Sequence, residues 1–158
     1  MVNDKENVLV MFAGVGPFAI EIAKHKKAKV AAIELNKDAY RYMIKNIEIN
    51  KVNVEAVLGD VKEVVYNYKD FADRIVMPLP KDSYNFLDSC LIAAKDKCIV
   101  HYYAFGKIDN AFDEHFNKIK EFMNKNNADI ELISKRVVRP YSASEIEIVI
   151  DFLIKKRK

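Results

Sequence analysis

Residues 8–19, VLVMFAGVGPFA, run an apolar strand into a glycine turn and straight on into an amphipathic helix. This junction constrains the fold more than any other stretch. Glycine lacks a Cβ, so the turn lets backbone N–H groups approach a ligand at the helix start. Eighteen residues past Gly16, a second apolar run (Ala28 to Ile33) ends in Glu34. That spacing suits a carboxylate that grips the two hydroxyls of a ribose. The pattern is that of a domain built around a nucleoside cofactor.

A chain of 158 residues suits one domain, 1–158, with a single core. Hydrophobic content of 51% with 4 Gly and 4 Pro excludes disordered and fibrous classes. The charges nearly cancel, to +3, so any affinity for nucleic acid must come from their placement. Basic residues gather at Lys24–Lys29 and at Lys155–Lys158, and each run reads equally well as solvated surface. Cys90 and Cys98 lack metal-ligand spacing and are expected to be buried free thiols in a reducing cytoplasm. No charged-then-apolar leader opens the chain, and no apolar run approaches the ~20 residues that span a bilayer. A cytoplasmic, metal-free monomer is expected.

Alternating strand and helix patterns predict a doubly wound, Rossmann-like α/β sheet, mostly parallel, with an antiparallel C-terminal edge. Strands are expected over Val8–Phe12, Lys29–Glu34, Glu55–Leu58, Arg74–Met77 and Cys98–Ala104, then Ile130–Val138 and Glu145–Leu153. The last two have no long crossover between them and should pair antiparallel. Helices are expected over Pro17–Lys26, Lys37–Asn50, Val61–Tyr68, Ser83–Ala94 and Ala111–Asn126. In the second, Ala39, Tyr42, Met43, Ile47 and Ile49 give an apolar side, and Asn36 is a fitting N-cap. The final strand alternates Ile146, Ile148 and Ile150 against Glu147, Val149 and Asp151.

Four landmarks fall at successive strand ends, where ligands of open α/β sheets bind. Gly14-Val15-Gly16 makes the first turn, and Pro17 sits where a helix tolerates its missing N–H. A nicotinamide fingerprint wants glycine three residues after Gly16, where this chain has Ala19; the Lys and Ser/Thr of a phosphate-cradling loop are absent. A ligand without phosphate fits better. Glu34 is read as the ribose acceptor, against a surface carboxylate capping the next helix. Asp60 follows Gly59 and can accept from an adenine amino group, against an ordinary turn or N-cap aspartate. Pro78-Leu79-Pro80 forms a stiff wall whose carbonyls point in fixed directions and can hold a planar base for transfer, against a simple strand-ending turn.

The segments MFAGVGPFAIEIAK, AIELNKDAYRYMIKNIEINKV, LGDVKEVV, ADRIVMPLPKDSYNFLD and IVHYYAFG together resemble the catalytic domain of the archaeal and eukaryotic-type tRNA (guanine-37-N1)-methyltransferases. The resemblance covers nearly the whole chain. It extends to the wybutosine-pathway enzyme that transfers an aminocarboxypropyl group from the same cofactor. It implies a class I methyltransferase sheet, S-adenosyl-L-methionine as cofactor and the anticodon loop of tRNA as partner. Phe12, Ala13, Gly14, Val15, Gly16, Pro17 and Phe18 would hold the methionine end, Glu34 with Leu35 the ribose, and Asp60 with Val61 the adenine. Pro78, Leu79 and Pro80 would flank the reacting centre. Two positions depart from the family pattern: Val10 stands where an aspartate is usual, and Pro78 replaces the asparagine of an Asn-Leu-Pro loop. A proline offers the target base only its carbonyl.

Removing the N1 proton of guanine calls for a base, and the charge that builds on O6 calls for a cation. In the family both come from segments ahead of the first strand. The chain is therefore expected to be the C-terminal catalytic part of a longer protein and to methylate poorly by itself. Replacements from within could be His101 as base, Tyr102, Tyr103 and Phe105 as stacking surfaces, and Arg136 and Arg139 on phosphate. Each also reads as structure: a hydrogen-bonded histidine, core aromatics, and arginines paired with Glu145 or Glu147. Beside methyl transfer stand three other readings: aminocarboxypropyl transfer, an RNA-binding module on a decayed transferase scaffold, and a nicotinamide dehydrogenase.

Overall fold

The computed structural model describes residues 2–157; Met1 and the terminal Lys158 of the basic run lie outside them. Strands β1 (Asn7–Val10), β2 (Lys29–Glu34), β3 (Val54–Leu58), β4 (Ala72–Met77), β5 (Ala94–Lys107), β6 (Ala128–Pro140) and β7 (Glu145–Lys156) form one sheet. Its order is β3-β2-β1-β4-β5-β7-β6. The first five strands pair in parallel, and β7 pairs antiparallel with both β5 and β6. The helices are α1 (Pro17–His25), α2 (Lys37–Asn50), α3 (Val61–Val64), α4 (Leu87–Ala93) and α5 (Ala111–Lys125). Single 3₁₀ turns at Val65–Tyr68 and Ser83–Phe86 continue α3 and precede α4. Among the described residues no helix is long and apolar enough to cross a membrane.

Alternation along the strands divides the core between the two faces. Val8, Val10, Val30, Ala32 and Val76 pack with α1 and α2 through Ala19 and Met43. Leu9, Met11, Ala31, Ile33, Ile75 and Met77 face α3, α4 and α5. Because the central strands are covered on both sides, they read as continuous apolar runs. Cys90 and Cys98 are buried free thiols on the second side, and burial pushes the Cys90 thiol up to about 12.

Several expected elements change extent. β1 ends at Val10 because Phe12 adopts a left-handed backbone (φ 57°), which no strand accommodates. β5, β6 and β7 each run further than alternation suggests, since the antiparallel ladder extends from Lys97–Lys155 to Lys107–Glu145. In α2 the buried stripe is Tyr40, Met43 and Ile47, spaced three and four apart; Tyr42 and Ile49 of the expected apolar side are exposed. The two sides of β7 do not divide into buried and wet. Glu147 and Asp151 are 8% exposed, because β5 and β6 flank the strand and basic side chains cover both carboxylates.

Candidate functional site

The sheet order reverses between β1 and β4, and the crevice at the carboxyl ends of these strands has two lobes. The first, about 500 Å³, is lined by Phe12, Glu34, Leu35, Asp60, Val61 and Phe86 together with Ile33, Asn36, Pro78 and Leu79. The second, about 620 Å³, takes Ala13, Gly14, Val15, Pro17 and Phe18 from the first turn. Its far wall is Pro80, Tyr103, Phe105, Val138, Arg139 and Glu147. Phe12 and Pro78 line both lobes and form the ridge between them. Each lobe has the volume usual for small-molecule sites.

The glycine turn is shaped by two different demands. A Cβ on Gly14 would meet nothing within 4 Å, so its φ of 57° leaves open space on the cleft side. A Cβ on Gly16 would sit 2.8 Å from Met43 Cγ, so Gly16 serves helix packing and lines neither lobe. Phe12 holds a left-handed backbone that costs a non-glycine residue roughly 1–3 kcal/mol, and its ring meets Phe86 edge-on at 4.6 Å. Phe86 comes from the 3₁₀ turn before α4 and was not legible as a site residue; only its approach to Phe12 in three dimensions reveals it.

Glu34 leaves the end of β2 with its carboxylate fixed by two backbone amides, Gly14 N to Oε2 at 2.6 Å and Asn36 N to Oε1 at 2.7 Å. A carboxylate has about four lone-pair positions, so two remain for a ligand. Asp60 caps α3, its Oδ1 accepting from Lys62 N at 2.9 Å, and it still lines the first lobe. The N-cap reading and the ligand reading are therefore both compatible with its geometry. Both carboxylates open on one lobe.

The Pro78–Pro80 loop is tied at both ends. Ser83 Oγ donates to Met77 O and Leu79 O, and Phe105 N donates to Pro80 O at 3.1 Å. Leu79 O also accepts from the backbone N–H groups of Asp82 and Ser83. Among the described hydrogen bonds the Pro78 carbonyl has no partner within the fold.

Of the residues considered as internal replacements, Tyr102 is placed elsewhere. It is 1% exposed and packs on the α5 side near His115, because alternation along β5 sends only its neighbours Tyr103 and Phe105 to the cleft. His101 is held on both nitrogens, Nδ1 to Asp151 Oδ1 at 2.7 Å and Nε2 to Arg74 at 2.9 Å, and it borders a smaller hollow behind Phe18. Arg136 reaches Asp151 Oδ2 at 3.1 Å, and Arg139 Nε donates to Glu147 Oε2 at 2.6 Å. Arg139 lines the second lobe; Arg136 borders the hollow.

A doubly wound sheet in the order 3-2-1-4-5-7-6, with two carboxylates and a glycine turn around one cleft, defines a nucleoside-cofactor domain of the Rossmann-like class. Residues 1–132 match the family described as the TRM5/TYW2 methyltransferase domain, and the chain belongs to that family. It is 40% identical over 155 residues to a tRNA (guanine(37)-N(1))-methyltransferase, Trm5b, of Pyrococcus abyssi, covering 98% of this chain and 46% of that protein. It is 34% identical over 151 residues to a tRNA(Phe) (4-demethylwyosine(37)-C(7)) aminocarboxypropyltransferase of Methanocaldococcus jannaschii, covering 94% of this chain and 60% of that one. The crystal structure of M. jannaschii TYW2 in complex with AdoMet superposes with a TM-score of 0.91 at 32% identity, over 99% of this chain and 71% of the other. The chain thus spans about half the length of the Trm5b relative.

Proposed function

We propose that this chain is a catalytic domain that binds S-adenosyl-L-methionine and methylates N1 of guanine 37 in tRNA, as a cytoplasmic monomer without a metal. The observation that carries the reading is one cleft with Glu34 and Asp60 in its first lobe, Gly14 in its second, and the Pro78–Pro80 loop shared between the two.

The residues present fit this cofactor. The space beside Gly14 accepts close approach of a ligand that a Cβ would block. Glu34 is preset by two amides to accept from ribose hydroxyls, and Asp60 is within the same lobe to accept from an amino group. Leu35, Val61 and Phe86 offer apolar and aromatic surface to a planar base. When bound, S-adenosyl-L-methionine supplies an electrophilic carbon on a positively charged sulfur. Ala13, Gly14, Val15, Pro17 and Phe18 line the second lobe, where Pro78 and Pro80 wall the space for the acceptor base. The bonds that anchor this loop keep the wall from moving, and the Pro78 carbonyl remains to orient the base. Phe18 stands 5.7 Å from Tyr103, and the two rings add aromatic surface to the lobe.

A second reading, transfer of an aminocarboxypropyl group from the same cofactor, is favoured by Pro78 at the position where the methyltransferase pattern has asparagine. Nucleoside mass spectrometry of tRNA incubated with the chain and S-adenosyl-L-methionine separates the two. The expected product is N1-methylguanosine; an aminocarboxypropyl adduct would overturn the first reading in favour of the second.

A further inference from the structure

Asn46 stands in the middle of α2, three residues after buried Met43, on the side that meets the glycine turn. Asparagine is a weak helix former, because its side chain competes for nearby backbone groups. Asn50, one turn later, behaves in that way and donates Nδ2 to Asn46 O at 2.8 Å. Asn46 does not. Its Nδ2 donates across the fold to Val15 O at 2.9 Å, 31 residues earlier in the chain.

Val15 sits between two glycines with left-handed backbones, Gly14 at φ 57° and Gly16 at φ 89°. Glycine on each side leaves the peptide planes that flank Val15 with little steric restraint. The Val15 carbonyl lies one residue ahead of Gly16, the N-cap of α1, so it stands outside the helix ladder that Ile20 N opens on Gly16 O. Pro17 has no N–H to offer it. Among the described hydrogen bonds Asn46 is its partner. The Val15 carbonyl and the Gly16 N–H belong to one peptide plane, and Gly16 N donates to Ala13 O at 2.9 Å. That plane is therefore held at both ends, by Asn46 on one side and Ala13 on the other.

The preceding plane carries the Val15 N–H, which has no described partner within the fold, and Val15 lines the second lobe. The two planes meet at the Val15 Cα, whose Cβ restricts the angles between them. The upstream limb of the turn is fastened separately, by Ala13 N to Ile33 O at 2.8 Å and Gly14 N to Glu34 Oε2 at 2.6 Å. The two lobes thus have different supports: Glu34 keeps its place in the first without Asn46, and the turn facing the second depends on it.

We propose that Asn46 is a positioning residue for the part of the ligand that occupies the second lobe. By pinning the Val15–Gly16 plane it presents the Val15 N–H to an acceptor there, the carboxylate of an amino-acid arm. The inference rests on the cofactor reading above, with the nucleoside in the first lobe and its amino-acid arm along the turn. Asn46 lines neither lobe, so it acts through Val15 and not by contact with the ligand.

The test compares two ligands by isothermal titration: S-adenosylhomocysteine, which carries the arm, and adenosine, which lacks it. Asn46→Ala, and Asn46→Asp, which keeps the size and loses the donor, should each bind S-adenosylhomocysteine roughly threefold to tenfold more weakly than the wild type, the worth of one net hydrogen bond. Adenosine should bind the wild type and both variants alike, which a general loosening of α2 would not allow. Asn50→Ala, which removes a side-chain bond within the same helix, should leave both affinities unchanged. Undiminished S-adenosylhomocysteine affinity in both Asn46 variants, or an equal loss for both ligands, would overturn this inference and leave the cofactor reading standing. A wild type that binds neither ligand would overturn both.

Discussion

Asp151 accepts hydrogen bonds from His101 Nδ1 at 2.7 Å, Ser134 Oγ at 2.6 Å and Arg136 at 3.1 Å. Burial alone would raise its pKa, but the bonds from His101 and Ser134 and the charge of Arg136 outweigh it and hold the carboxyl at about 2. A carboxyl depressed in the fold stabilises it above its unfolded value, near 4, and loses that contribution as pH falls through about 2. The depression corresponds to about 2 kcal/mol. Thermal melts should show the wild type falling toward Asp151→Asn as pH drops from 4 to 2, with the variant much less stable at pH 7. Parallel melting curves across that range would refute the assignment. Glu6, which accepts from buried Arg74 at 2.7 Å, is likewise lowered by Arg74 against the opposing effect of burial, so only the difference between wild type and variant isolates Asp151.

Among the elements, α2 shows local chemistry and tertiary packing each deciding a different feature. Its start is set by Asn36, whose side chain accepts from Asp38 N at 2.9 Å and Ala39 N at 3.1 Å. Its end is set by Lys51, which takes a left-handed backbone and donates to Ile47 O and Glu48 O. Asn36→Ala should cost about 1 kcal/mol in chemical denaturation with an unchanged m-value, the usual effect of deleting an N-cap; no change would mean that packing alone starts the helix. These signals are local, and for that reason β2 and α2 run over the residues that period and capping predict. Which side of α2 is buried depends on what it packs against, and there the apolar pattern alone points to Tyr42 and Ile49, both exposed. The lengths of β5, β6 and β7 depend on pairing between strands distant in sequence, which no single stretch encodes.

For the molecule as a whole, the position of the cleft follows from the winding of the sheet. Glu34, Asp60 and Pro78 are legible as cleft residues because Glu34 ends a parallel strand and the other two follow close behind one, and such ends gather at one rim whatever the detailed packing. Phe86 and Glu147 are not legible in that way. Phe86 reaches the first lobe from a turn, and Glu147 reaches the second through the register of an antiparallel edge. The same alternation that brings Tyr103 into the cleft takes Tyr102 out of it. The cofactor assignment rests on Glu34, which joins the glycine turn to the end of β2 and faces the first lobe. Isothermal titration of S-adenosylhomocysteine into the wild type and into Glu34→Ala tests it most directly. The account predicts saturable binding weakened by ~1–3 kcal/mol in the variant, the cost of unmade charge-assisted hydrogen bonds. Equal affinity of the two proteins, or no binding by the wild type, would contradict it.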